Sequence, residues 1–148
     1  MALDVYKALK HFKKTLAEDW SKIDFNFEIK GEDDREQAWA TADVTINGFD
    51  DDIRLIFTAY SGGGVEFRAV FDKIDKTREV LELVHEFNRS NFYFKMFVRE
   101  DDAYLEIKHA FICDDVDQLD SYINECLCRI VDMNKNDIVK TLSAYTHS

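Results

Sequence analysis

The fold is decided in the middle of the chain, where residues 53–71 read IRLIFTAYSGGGVEFRAVF. On both sides of the glycine run, apolar and polar residues alternate with a period of two, which is typical of strands with one buried face. Glycines between two such segments favour a tight turn. The stretch therefore predicts a β-hairpin whose inner faces carry Leu55 and Phe57 on one strand and Val65 and Phe67 on the other.

Two more strands precede this hairpin. Residues 23–29 alternate apolar and polar side chains, and residues 37–46 place alanines on one face and Trp39 on the other. Polar or glycine-containing turns are predicted at residues 31–34 and 47–52. Four consecutive strands joined by short turns are expected to form an antiparallel meander.

Helical spacing replaces this alternation at both ends of the meander. Val5, Leu9, Phe12 and Leu16 recur at intervals of four, three and four, which is typical of an amphipathic helix. Downstream, the patterns predict a helix at 80–87, a hairpin at 92–107, a helix at 116–130 that begins near Asp114, Asp115 and Asp117, and a last helical piece after a break at 133–136.

The predicted class is α+β, in a single domain spanning residues 1–148. Its elements are a helix, a four-stranded antiparallel meander, a helix, a two-stranded hairpin and a C-terminal helix or helices. The helices are expected to pack on one face of the sheet.

Composition limits the classes of function. The chain has 148 residues, with 19 Lys and Arg against 30 Asp and Glu, and a net charge of −11. This balance lacks the basic footprint that nucleic acids and anionic membranes require, so neither is expected as a partner. No apolar run is long enough to span a membrane, no secretion signal is visible, and three cysteines, an odd number, favour a reducing compartment. We therefore expect a cytoplasmic protein.

No motif carries a strong chemical signature. The acidic turn at 50–52 lacks the spacing of a calcium loop, and Cys126 and Cys128 face away from each other in a predicted helix. The glycine run at 62–64 lies between strands, whereas a phosphate-binding loop leads into a helix. We expect no catalytic residue, metal or cofactor.

Two enzymatic alternatives stay open. Cys113 with His109 or His85 could form a nucleophile and base pair. His85 or His109 beside Glu106 could act as a general base in a pocket between the sheet and the helices.

Aromatic residues are the most informative group. With helices on one face of the sheet, the other face is left open. We predict a protein-binding patch on that open face, because aromatic side chains are enriched in protein interfaces. Its members occupy outer strand positions: Trp39, Tyr60, Tyr93, Phe97 and Tyr104.

The second half of the chain combines a helix ending in NRSN at 88–91, an aromatic strand FYFKMFV at 92–98, an acidic tip, the strand YLEI at 104–107 and an acid-capped helix. This segment resembles the YbjN-like family of bacterial proteins, whose helix-end asparagine best matches Asn88. The resemblance implies a fold like that of type III secretion chaperones. It also implies a cytoplasmic accessory or regulatory role with protein partners and self-association, and it implies no catalytic residue.

The predicted function is a non-enzymatic cytoplasmic protein-binding module, a chaperone-like or regulatory adaptor, that uses the aromatic sheet face or a strand edge. The negative charge favours a partner with a basic segment, and a homodimer is a further predicted assembly. The competing predictions are a small-molecule-binding protein or enzyme, and a structural subunit of a larger assembly.

Overall fold

The computed structural model describes residues 4–31, 35–46, 48–113 and 115–147. The helices in these ranges are α1 (Val5–Asp19), α2 (Arg78–Ser90), α3 (Val116–Asp132) and α4 (Asp137–Ser143), with one turn of 3-10 helix at Met133–Lys135. The strands are β1 (Asn26–Lys30), β2 (Gln37–Val44), β3 (Ile53–Tyr60), β4 (Gly64–Ile74), β5 (Lys95–Val98), β6 (Tyr104–Ile112) and β7 (Thr146–His147). None of these helices is long and apolar enough to cross a membrane.

The strands form one open antiparallel sheet in the order β1-β2-β3-β4-β6-β5. The predicted α+β class and the order of its elements are confirmed. The hairpin extends the meander because β6 pairs with β4, which leaves β5 at the edge. Short β7 pairs with the end of β4 beyond an irregularity between Val70 and Lys73, and the sequence patterns did not predict it.

Turns and caps follow local chemistry. Gly62 and Gly63 have φ values of +97° and +96°, which glycine adopts without steric strain, so the central hairpin turns where the sequence predicts. Asp4 and Asp115 accept backbone N–H groups at the starts of α1 and α3. Asn47, residues 32–34 and Asp114, which the sequence placed in turns or at a helix start, lie outside the described residues.

The hydrophobic core lies between the sheet and the helices. Phe57 and Phe67 are opposite each other on β3 and β4 with ring centroids 4.7 Å apart, and Phe12 of α1 lies 6.0 Å from Phe57. All three rings are fully buried, and each contributes on the order of 2–3 kcal/mol of hydrophobic free energy. Buried residues from all four helices belong to the same cluster. The helices therefore cover one face of the sheet.

Candidate protein-binding surfaces

The opposite face of the sheet carries a second set of side chains, called here the open face. Successive residues of a strand point to opposite faces, and paired residues share a face. Trp39, Thr58 and Glu66 pair across β2, β3 and β4, out of phase with the core residues. Ile56 shows that the side chains of this face are separate from the core, because it is buried but does not belong to the core cluster.

The register places four of the five predicted aromatic residues on the open face, namely Trp39, Tyr60, Phe97 and Tyr104. All four are half-buried. Two of them form cation–π contacts with lysines. Lys30 Nζ lies 4.2 Å from the centroid of the Trp39 ring, and Lys73 Nζ lies 5.6 Å from the centroid of the Tyr104 ring. The open face therefore combines aromatic and basic side chains.

A charged network crosses the centre of the open face. Arg68 lies 3.0 Å from Glu106 and 3.8 Å from Glu66, and Lys108 lies 3.3 Å from Glu66. Arg99 adds a second guanidinium 3.6 Å from Glu106, which is 3% exposed. Burial opposes the charge of Arg68, but the hydrogen bond and charge of Glu106 outweigh it and raise the pKa of the guanidinium. The centre of the network, formed by Arg68, Glu66 and Glu106, is therefore largely removed from solvent, whereas Arg99 and Lys108 stay partly exposed.

Tyr93 does not lie on the open face, and that part of the prediction is wrong. It packs on the helix side, where its ring stacks on His109 at 4.2 Å and its hydroxyl lies 3.5 Å from Cys126 Sγ. The reason is local, because Asn91 Oδ1 accepts the N–H groups of both Tyr93 and Phe94. This turn delays the start of β5 to Lys95, so Tyr93 falls outside the alternation that the sequence implied.

Tyr93 instead helps to line a groove between β6 and α3, with a volume of about 730 Å³. Its other aromatic lining residues are His109, Phe111 and Tyr122. The Tyr122 hydroxyl donates to the His109 carbonyl at 2.9 Å, and its ring lies 4.4 Å from Phe111. Burial and the charge of Arg129 lower the pKa of His109, so the groove favours the neutral imidazole. His109 and Phe111 lie beyond the predicted end of the hairpin at residue 107, and nothing in the sequence placed Tyr122 beside them.

Carboxylates surround this groove. Asp115, Asp117 and Glu125 line it from α3 and its N-terminus. Glu125 is paired with Arg129 at 2.6 Å, whereas no ion pair joins Asp115 or Asp117 to a basic side chain within the described part of the chain. The groove is therefore aromatic inside and acidic along α3, and the Arg129 guanidinium already lies 4.3 Å from the centroid of the Tyr93 ring.

The outer edge of β5 is blocked by one side chain. Met96 pairs with Ile107 between two residues that exchange hydrogen bonds with β6, so its own backbone groups point outward. Asn88 of α2 binds both of these groups: its Nδ2 donates to the Met96 carbonyl at 2.9 Å, and its Oδ1 accepts from the Met96 N–H at 2.7 Å. The asparagine amide thus takes the place of a neighbouring strand.

Where β5 stops, no other strand of the described ranges pairs with the outer edge of β6. Tyr104 accepts from Arg99 on the β5 side, and Cys113 donates to Gly63 on the β4 side. Even-numbered residues of β6 therefore direct their backbone groups toward β5. Pairing with β5 ends at Lys108, so Ala110 and Ile112 present N–H and C=O groups at the sheet edge. Both residues are exposed, and Ile112 also lines the groove.

The catalytic pairings that the sequence left open are not formed. Glu106 lies on the open face, whereas His109 faces the helices and His85 is exposed on α2. Cys113 is buried and donates to the Asp115 carbonyl at 2.9 Å. It is four residues beyond His109 in extended chain, about 13 Å away at the usual rise per residue.

The remaining thiols and acidic groups offer no reactive centre of the expected kind. Burial raises the pKa of the Cys126 thiol to about 12, so this sulfur is protonated at neutral pH, and Cys128 is exposed. Within the described ranges, no group of three or more His, Cys, Asp or Glu side chains could hold a metal ion. No family model, curated protein or solved structure matches the chain.

Proposed function

We propose that this chain is a non-enzymatic cytoplasmic protein-binding module, a chaperone-like or regulatory adaptor, that takes an extended segment of a partner protein at the edge of β6. The observation that carries the proposal is the contrast between two neighbouring edges. Asn88 blocks the backbone of Met96 on β5, while the edge-facing backbone groups of Ala110 and Ile112, beside the aromatic groove, have no backbone partner among the described residues. Extended peptides bind such edges through main-chain hydrogen bonds.

The groove indicates the chemistry of the partner. A segment paired antiparallel to β6 directs alternate side chains to the two faces of the sheet. The residue opposite Phe111 then lies over the groove, next to the rim that carries Asp115 and Asp117. A lysine or arginine at that position complements the rim, and its flanking residues contact exposed Ile112. We therefore propose a segment in which basic and apolar residues alternate.

Two further features support the proposal. The net charge of −11 attracts a basic segment over a distance and raises the rate of encounter. The three cysteines are free thiols, which is typical of proteins kept in a reducing compartment such as the cytoplasm.

The direct test uses hydrogen exchange detected by NMR. A short peptide that alternates valine and lysine is added to the full chain, and amide exchange is followed residue by residue. We expect exchange to slow at Ala110 and Ile112, because their N–H groups gain acceptors, and to stay unchanged at Met96, which is already bonded to Asn88. Unchanged exchange at Ala110 and Ile112 in a saturated complex would refute strand pairing at this edge.

Matched variants separate charge from backbone pairing. Asp117→Asn with Glu125→Gln is expected to weaken peptide binding about fivefold, because each exposed charge contributes modestly. Glu18→Gln with Asp19→Asn removes the same charge from an exposed part of α1 and is the control. An equal loss in both double variants would mean that net charge alone attracts the peptide. N-methylation of alternate peptide residues tests the backbone bonds without altering the protein, since only one of the two methylation patterns should prevent binding.

The groove also favours a second candidate function, the binding of a small organic cation. Aromatic side chains line the groove, as they do in many ligand sites. In that case NMR signals of Tyr93 and His109 would shift on titration with arginine amide, while exchange at Ala110 and Ile112 would stay as in the free protein. This pattern, without any response to the extended peptide, would favour the small-molecule function over the adaptor.

A further inference from the structure

We infer that the open face is a second docking surface and that it takes an acidic segment of another protein. This surface lies on the side of the sheet away from the groove, and the inference stands whether or not the edge of β6 binds a peptide. It starts from the distribution of charge. The register places on the open face the basic residues Lys30, Arg54, Arg68, Lys73, Lys95 and Lys108, and the acidic residues Glu28, Asp43, Glu66 and Glu106.

These six basic and four acidic residues give the strand positions of the open face a net charge of +2, and Arg99 with its partner Asp102 adds no net charge, whereas the whole chain carries −11. The acidic excess therefore belongs to the rest of the molecule. A basic partner is therefore attracted to the rest of the molecule, whereas the open face favours an acidic partner.

Three of the cations stand in one row. Arg68 pairs with Lys108 across β4 and β6, and Lys108 pairs with Lys95 across β6 and β5. Like charges directly opposite each other in a sheet destabilise it. Glu66 and Glu106 offset part of the charge on Arg68 and Lys108, but no ion pair of Lys95 is formed with any described residue. Carboxylates of a partner lying over the row relieve this repulsion.

An aromatic side chain beside the row supplies apolar contact area. Half-buried Phe97 lies two residues beyond Lys95 on β5, whereas Ile56, which continues the row on β3, is buried. Aromatic and arginine side chains are enriched at the centres of protein interfaces. The fitting segment therefore carries both carboxylates and apolar residues.

Other occupants fit less well. A second copy packed face to face would set a surface of net positive charge against an identical surface. A single-stranded nucleic acid would bring its phosphates close to Glu66 and Glu106 and into the field of an acidic protein. An acidic protein segment avoids both penalties, because it is short and its carboxylates can be spaced to miss the two glutamates.

The test uses a short peptide that alternates glutamate and valine, with its lysine counterpart and a thymidine oligonucleotide as comparisons. Binding to the full chain is followed by NMR shifts of Phe97 and Lys108. We expect the glutamate peptide to bind and to weaken as salt is raised from about 50 mM to about 300 mM, because salt screens exposed charges. The inference would be overturned if the oligonucleotide bound more tightly than the glutamate peptide. It would also be overturned if sedimentation showed that the free protein associates with itself through this face.

Variants distinguish the row from general attraction. Lys95→Gln with Lys108→Gln is expected to weaken the glutamate peptide about tenfold. Lys13→Gln with Lys14→Gln, on the exposed side of α1, is the charge-matched control and should leave binding unchanged. Lys95→Gln alone should also raise the midpoint of thermal unfolding in the free protein, because it removes a like-charge neighbour of Lys108. A lower midpoint, or an equal loss of binding in the control, would contradict the proposed row.

Discussion

The two hydrogen bonds between the Asn88 side chain and the Met96 backbone, called here the Asn88 clamp, lead to a specific prediction about stability. Asn88→Ala removes two hydrogen bonds, of 2.9 and 2.7 Å, and leaves the N–H and C=O groups of Met96 without their partner. Each such bond contributes a net ~1 kcal/mol, so loss of both lowers the free energy of unfolding by about 2 kcal/mol before the change in helix propensity is included. Alanine is a better helix former than asparagine by roughly 0.6 kcal/mol. We therefore expect the free energy of unfolding to fall by about 1.5 kcal/mol.

The assay is equilibrium unfolding in urea, followed by circular dichroism. His85→Ala, an exposed position on the same helix, is the control, because it changes helix propensity without removing a contact to β5. Asn88→Asp is the second variant. It retains the acceptor for the Met96 N–H but places a negative charge beside the Met96 carbonyl, so it should also destabilise the protein.

The same substitution should change how the molecule associates. Without Asn88, the Met96 backbone groups become an open strand edge, and such edges pair with other chains. Sedimentation velocity at increasing concentration should then detect larger species for Asn88→Ala than for His85→Ala. If Asn88→Ala unfolds at the same urea concentration as the unaltered protein and sediments identically, then Asn88 does not block the outer edge of β5 and the prediction is refuted.

Four further predictions concern separate parts of the molecule. Burial and the charge of Arg129 lower the pKa of His109, so the unfolded chain binds a proton at this histidine at a higher pH than the folded chain does. As the pH falls from about 7 to about 5, the free energy of unfolding should therefore decrease more steeply in the unaltered protein than in His109→Gln. Equal slopes would contradict this. Ala103 has φ +62°, a conformation that glycine adopts more easily, so Ala103→Gly should stabilise the fold by about 0.5 kcal/mol in urea unfolding rather than weaken it. A thiol reagent should label Cys128 rapidly and buried Cys126 only on unfolding, and simultaneous labelling in mass spectra would refute the burial. Trp39→Ser and Phe97→Ser should keep cooperative unfolding, since neither ring belongs to the core, and a non-cooperative transition would show otherwise.

The sequence predicts most of the fold because its two periods are clear. The alternation in residues 53–71 and the helical spacing of Val80, Val84 and Phe87 correspond to elements of the structure. The start of β5 could not be predicted from alternation, since the side chain of Asn91 competes for the backbone N–H groups of Tyr93 and Phe94. Side chains of this type favour turns over strands.

The candidate surfaces depend on long-range pairing, which a single sequence does not reveal. Lys95 is recognisable as an outer residue of the predicted hairpin, but Lys108 lies just beyond the predicted end of that hairpin, and the third cation of the row is Arg68, from the earlier hairpin. Likewise, Tyr122 reaches His109 only because α3 packs over β6. Asn88 is noticeable in the sequence only as a polar residue at a helix end, and its contact with Met96 becomes evident only in three dimensions.

The unequal charges of the two sides also affect how this molecule meets others. The strand positions of the open face carry +2 in a chain of net charge −11, so charge is distributed unevenly around the sheet. In the field of a charged neighbour such a molecule rotates before contact, within the screening distance of about 8 Å at physiological salt. Collisions then begin in a preferred orientation, and each side is presented first to partners of opposite charge.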